Sequence, residues 1–565
     1  MHDLTAAPPL PAPAADLPLN PAAALAAAAL LSACGGGGGG GEAGPGAGPA
    51  APPPPPPAPA PPSDAEAARF LAQAGFAATS ADIATVKASG YAAWLDAQFA
   101  MPVSAGHFDW MVERGYAVEA NRNSFAGLDN TLWRKFMSAP DTLRQRVVLA
   151  LSEIFVVSMS GMPVQWRGLM GAAYVDLLEQ HAFGNYRQLL EAVTLSPAMG
   201  VYLNMRGNQK ADTRTGRVPD ENYARECMQL FSIGLVLLNA DGSAKLGSDG
   251  KAQETYSQAQ ITELAQILTG WDYDGSSATD PAYVKKPMVN NAARFTPGAK
   301  KVLGVDVPST ADGAAALKIV LDTLAAHANV GPFIGRQLIQ RLVASHPSAA
   351  YVGRVAAVWA DNGVGVRGDL KAVVRAVLLD EEARKPSAQP SAGRLREPVQ
   401  RLVQWARSFG AASPTGLWNV GDTTNPATRL GQSPLRSPSV FNFFRPGYVP
   451  PNSTLGTNGI TAPEFQLCNE STVAGYLNFM QTVIGSGVGE VRGDYTAELA
   501  LSTDVPALVD NVALRLAGDA ISADTRAKVA TAVATITATN DTGKRNRVNA
   551  AVLMLMACPE YQVQK

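Results

Sequence analysis

Residues 219–234 read PDENYARECMQLFSIG, and whether this stretch is a helix decides how the rest of the chain is read. Tyr223, Cys227, Leu230 and Phe231 recur at the spacing of one helical face. Asp220 stands where a residue can cap the free N–H groups, and Glu221 in the first turn suits the positive end of the helix dipole. Gly234 supplies the turn that ends it. As a helix, the stretch puts Glu221 and Arg225 four apart, where they can pair, and sets Asn222, Glu226 and Gln229 along a second face. Two readings follow from those polar groups. In one they are a cap, an ion pair and a solvated face or a salt-bridge network between helices. In the other they form a polar ligand site, with Glu226, Asn222 and Arg225 as its chemical groups. Cys227 lies on the apolar seam, so its thiol reads as packed rather than nucleophilic.

The same periodicity continues on both sides. Ser257 to Gln260 form a capping box, followed by Ile261, Leu264, Ala265 and Leu268 on one face. That helix ends at Leu268-Thr269-Gly270-Trp271-Asp272, so Glu221, Trp271, Glu263 and Asp272 join the candidate ligand-binding groups. Upstream, 64–74 and 80–100 read as helices, with Ile83, Val86, Tyr91, Trp94, Leu95 and Phe99 inward. Residues 141–157, DTLRQRVVLALSEIFVV, begin with a capping aspartate and turn apolar, and 172–195 hold a helix pair broken near Gly184-Asn185. Downstream, 332–345, 348–361, 369–383 and 397–409 are helical with short connections, and helices return from 469 to the end. Residues 239–256 differ: Asp241-Gly242 and Asp249-Gly250 mark a small hairpin, without the spacing of a calcium loop. Residues 411–465, rich in Pro, Gly, Asn and aromatics, read as long irregular surface. The expectation is a mostly α fold: a large multi-helix body over 64–565 with a small hairpin excursion and long irregular loops.

Charged residues make up 17% of the 565-residue chain and apolar ones 47%, a mixture that buries a large core. The net charge is -2 with no basic stripe, which argues against nucleic acid as a partner. Cys34, Cys227, Cys468 and Cys558 form no C-x-x-C pair and are too few for a disulfide framework. The apolar run 22–33, AAALAAAALLSA, is too short to span a bilayer and suits a secretory core, although the first Lys or Arg is Arg69. Leu31-Ser32-Ala33-Cys34 resembles a bacterial lipobox, which implies a signal segment over 1–34 and acylation of Cys34. A Gly/Pro-rich disordered tether over 35–63 follows. The expected location is therefore outside the cytoplasm, in the periplasm or at the outer membrane, held by an acyl anchor at Cys34.

Familiar catalytic and cofactor motifs are missing. There is no G-x-S-x-G, H-E-x-x-H or G-x-x-x-x-G-K-[ST]. Gly363 to Gly368 match G-x-G-x-x-G, but a helix precedes them, so the simpler reading is a loop with Asp369 as the next cap. None of His2, His107, His181, His327 and His346 lies four from another, so neither a local metal pair nor a cofactor is expected. Glu221 and Glu226 diverge around the helix and make a poor acid pair; Glu226 with Glu263 or Asp272 stays open.

ENYARECMQLFSIG followed by YSQAQITELAQILTGW resembles the paired signature of the bacterial family catalogued as domain of unknown function 1800. AARFLAQAGFAATSADIATVKASGYAAWLDAQFAMP resembles its opening segment. HANVGPFIGRQLIQRLV, RGDLKAVVRAVLLDEEAR and GRLREPVQRLV resemble its middle, and SPLRSPSVFNFFRPGYVPP, APEFQ and ACPEYQVQ its end. The resemblance spans roughly 64–565 and implies a largely helical, exported protein, often encoded beside a second exported protein that is a candidate partner. Relatives often carry a histidine before a G-x-K-x-x-L-G segment; here FTPGAKKVLG has Phe295 in its place and keeps Lys300 and Gly304. The resemblance assigns no reaction, so two functions remain. One is a hydrolase-like or polar-ligand-binding protein of the cell envelope, with Glu226 as acid or base, Asn222 and Arg225 as clamps and Trp271 as a stacking wall. The other is a non-enzymatic assembly partner that uses Phe441, Phe443, Phe444 and Tyr448, four aromatics that could equally plug the core.

Overall fold

The computed structural model describes residues 60–565 apart from 386–388 and 390. Cys34, the segment before it and the tether up to residue 59 lie outside the described residues. Twenty-three α-helices account for most of the regular structure described.

Capping chemistry read from the sequence sets many of the helix starts. Ser63 opens Asp64–Ala74 and Ser257 opens Gln258–Ile267, each through a reciprocal capping box. The side chain of Asp369 accepts from Ala372 and opens Leu370–Leu379. The helix Ser80–Ala100 breaks at Gly90, whose φ of 80° is left-handed. Residues 167–195 form two helices, Arg167–His181 and Tyr186–Leu195, the second capped by Asn185. Asp141 behaves differently from expectation. It precedes Thr142–Ile154 but makes no cap bond; its carboxylate instead accepts from the Ser104 hydroxyl at 2.9 Å.

Strand structure is confined to three two-stranded antiparallel ladders among the described residues: Trp271–Asp272 with Val289–Asn290, Lys300–Val302 with Val305–Val307, and Arg394–Leu395 with Val563–Gln564. The first starts where the sequence showed an odd helix ending. The hairpin excursion is present as bridges between Val236 and Glu254, Leu238 and Ala244, and Leu246 and Ala252.

Residues 411–465 are irregular as read, but they are not only surface. Trp418, Val420, Leu430, Leu435 and Phe444 are buried in the core. The backbone tolerates this because local side chains satisfy it: Asp422 accepts from Thr424, Asn425 from Ala427, and Thr423 donates to the Gln432 carbonyl. Anchors come from the helical body, with the Trp133 indole donating to the Gly421 carbonyl and the Met159 amide to that of Leu435. Of the four aromatics noted in the sequence, Phe444 plugs the core, while Phe441, Phe443 and Tyr448 are half-buried. No helix among the described residues is long and apolar enough to cross a membrane.

Candidate functional site

The stretch that opens the sequence reading forms the helix Asn222–Gln229. Asp220 caps it by accepting from the Asn222 amide at 2.8 Å. Its end turns through Gly234 at φ 71°, whose amide returns to the Met228 carbonyl. Tyr223, Cys227 and Phe231 are buried and Leu230 half-buried, as the periodicity predicts. Burial pushes the Cys227 thiol up to about 12, so it is a packed thiol and no nucleophile.

The helix lies against Gln258–Ile267, and polar groups tie the two together. The Glu221 carboxylate accepts from the Gln258 amide and the Thr262 hydroxyl, both at 2.7 Å. Arg225 donates to Gln258 at 3.1 Å and approaches Glu221 at 3.5 Å. Two of the candidate groups are therefore committed to a half-exposed tie between helices. Glu263 accepts the Lys301 amide, and Asp272 is held between Arg206 at 2.9 Å and Arg294 at 3.0 Å. Trp271 lies in the core, 4% exposed, with an indole N–H that has no acceptor; it is not a surface wall. Apolar packing at the helix exit draws the ring inward. Asn222 is half-buried, and its side chain has no hydrogen-bond partner among the described residues.

Glu226 behaves differently from the rest. Of the two sequence readings, a solvated face or a polar site, the solvated face does not hold for Glu226, since the residue is 8% exposed. Its Oε2 is fully shielded and accepts no hydrogen bond. Burial raises its pKa, opposed only in part by Arg225. Tyr202 and Tyr256 stand close enough to feel its charge, and burial pushes both phenols up to about 12. The Tyr256 hydroxyl is likewise without a partner. Ser437 lines a small cavity together with Ser433, Asn442 and Glu153.

Glu153 leads to a second centre that the sequence reading did not single out. The helices Thr142–Ile154, Val330–Leu342 and Pro398–Ser408 contribute Arg146, Glu153, Arg341, Glu397 and Gln400, with Arg394 and Glu464 from adjoining segments, all buried. Arg394 donates to Glu397 at 2.6 Å and Gln400 at 2.9 Å, and approaches Glu464 at 3.4 Å. Glu397 also accepts from Gln400 at 2.6 Å and Gln432 at 2.7 Å. Burial alone would raise Glu397, but Arg394 and these donors hold it below the ordinary carboxylate range. Glu153 goes the other way: burial and the adjacent Glu397 charge push it well up. The two carboxyls are electrostatically linked, and the pair shifts in opposite directions, Glu397 down and Glu153 up. Glu153 is otherwise 3.5 Å from Arg341 Nε, and neither of its oxygens receives a hydrogen bond.

A third cluster has the composition of a metal site. Ligand atoms of His107, Asp176 and Glu179 lie within 4.8 Å of one another beside a cavity of about 630 Å³. Their valences are filled from within the protein. His107 contacts Thr131 and Glu179, both at 3.1 Å, and Glu179 also pairs with Lys135 and Gln145. Both oxygens of Asp176 accept amides, from His107 and Phe108. Burial would raise Glu179, but His107 and Lys135 bring it down to about 2. The positive charge at this carboxylate comes from Lys135, so the residues present fit a closed structural knot rather than a cation site.

A family model described as protein of unknown function (DUF1800) matches residues 69–563. No curated protein and no solved structure matches the chain.

Proposed function

The chain belongs to the family described as protein of unknown function (DUF1800), and from that premise we propose an exported cell-envelope protein, anchored through an acylated Cys34, that binds a polar ligand and acts on it in a hydrolase-like manner through Glu226. One observation carries the reading: a carboxyl shielded from solvent, raised by that burial, with an oxygen that no protein donor satisfies. Such a group holds its proton to higher pH than a solvated or ion-paired glutamate does, which is what a general acid needs. Tyr202 and Tyr256, protonated at neutral pH, supply neutral hydroxyls beside it. Asn222 lies one helical turn before Glu226 and offers an uncommitted amide to orient a ligand. Arg225 is spent on the tie to Gln258 and acts by holding the helix pair.

The test is an activity screen on envelope polysaccharides and esters with wild type and Glu226→Gln side by side. A turnover that falls at least about 100-fold in the variant supports the reading. Equal behaviour of the two removes Glu226 from any chemistry. Detergent-phase partitioning of wild type and Cys34→Ala tests the anchor; an unchanged distribution overturns it.

A further inference from the structure

Two cavities, of about 280 Å³ and about 240 Å³, open side by side beneath residues 440–447. They share Leu235, Phe333, Gln337, Pro446 and Gly447 as walls, so they form one continuous groove. Its middle is apolar. Leu235 is 56% exposed there, an apolar side chain presented to the groove. Phe333 forms the floor against Gly234, where a Cβ would come within 2.9 Å of the ring; only glycine lets the ring lie so close to the backbone. The roof is fixed by the Gln340 amide, which donates to the Pro446 carbonyl at 3.0 Å.

The groove walls hold one buried pair, Glu153 with Arg341 at 3.5 Å, and two further arginines without an acidic partner among the described residues. Arg445 borders the first cavity and stacks on Phe441 at 4.8 Å without an acidic partner. Arg336 borders the second and makes neither hydrogen bond nor ion pair among the described residues. Many arginines elsewhere in the described chain are ion-paired, as at Asp380, Asp272 and Asp129. The acid in the groove wall, Glu153, faces Arg341 at 3.5 Å, so its charge is offset within the fold. Apolar walls with two uncompensated guanidinium groups complement a ligand that carries both an anionic head and a hydrocarbon body.

We propose that this groove binds a single-chain organic acid, its carboxylate drawn by the uncompensated positive charge that Arg336 and Arg445 bring to the groove and its hydrocarbon chain laid along Leu235, Phe333 and Phe441. Glu226 is no part of this groove's lining, so the binding does not depend on the chemistry assigned to that residue.

Isothermal titration of the full chain with decanoate, and with decanol as the uncharged control, tests it. Decanoate binds in the micromolar range and decanol at least tenfold more weakly. Leu235→Asp, a change at an exposed position, abolishes decanoate binding, and the double variant Arg336→Gln/Arg445→Gln weakens it at least tenfold. Glu226→Gln binds decanoate as wild type does, whatever the activity screen shows. Absence of binding at millimolar decanoate, equal affinity for acid and alcohol, or unchanged affinity in either groove variant overturns the proposal.

Discussion

Two buried glutamates on neighbouring parts of the helical body show how differently one residue type can be used. Glu179 is completely enclosed and has every valence filled, by His107, Lys135 and Gln145. Glu226 is nearly as enclosed and has an oxygen with no donor at all. The pKa of the first falls to about 2 and that of the second rises. Burial favours the neutral acid in both; only specific partners reverse it. A carboxylate whose partners were all supplied within the fold works for stability. A carboxyl left short of one partner weakens the fold at neutral pH.

The sharpest break of that contrast is at the centre around Arg394, where both patterns meet. Arg394 neutralises Glu397 and Glu464 from a fully buried position. Arg394→Met leaves two buried carboxyls without their guanidinium, and we expect a loss of about 3–5 kcal/mol in chemical denaturation. A loss under about 1 kcal/mol would mean that the centre is not closed by these pairs.

Glu179→Gln comes next. Its folded pKa is depressed, so its contribution is fully present above the ordinary value of 4.5 and is lost as pH falls through about 2. The variant should be less stable by about 3 kcal/mol at neutral pH, and the gap should close in acid between those values. Denaturation midpoints measured across that range check it; a gap independent of pH would separate Glu179 from the ion pairs assigned to it.

Glu226→Gln should go in the opposite direction. A carboxyl with a raised folded pKa binds more protons folded than unfolded above 4.5, so stability falls as pH rises through that window. Removing the charge should leave the protein equally stable or up to about 1 kcal/mol more stable at neutral pH, with the difference vanishing in acid. Destabilisation by this variant at neutral pH would place Glu226 in the same class as Glu179.

The legibility of these centres differs for a physical reason. Helix starts at Ser257 and Asp369 are legible because a cap is a local bargain between residues three apart. The pairing of Glu221 with Arg225 was readable on the same ground. Gln258 and Thr262 as further partners of Glu221 were not, since they arrive from another helix. Glu153 carries a signal that local pairing rules pass over: it is the acid of an otherwise apolar run, LALSEIF, with no cation three or four residues away. Its partner Arg341 is 188 residues away. Glu397 has a local partner, Arg394, three residues before it in RLREPVQRLV. A lone acid inside an apolar helix face is therefore the sequence mark of a long-range charge centre. Asp141 shows the converse: a good capping residue is drawn off by Ser104 once the fold brings a better donor.

The smallest expected effect lies at the helix tie, where the sequence was most explicit. The Arg225 and Glu221 side chains are 41% and 32% exposed and 3.5 Å apart. Water and salt screen such a pair, and ordering two long side chains offsets part of the gain. Arg225→Gln should cost about 0.5 kcal/mol, less at high ionic strength, because Gln258 and Thr262 go on holding Glu221. Thermal melts at low and high salt measure it. A cost several times larger, insensitive to salt, would mean that Arg225 also stabilises the Glu226 carboxylate across the turn, and that the raised pKa of Glu226 rises further without it.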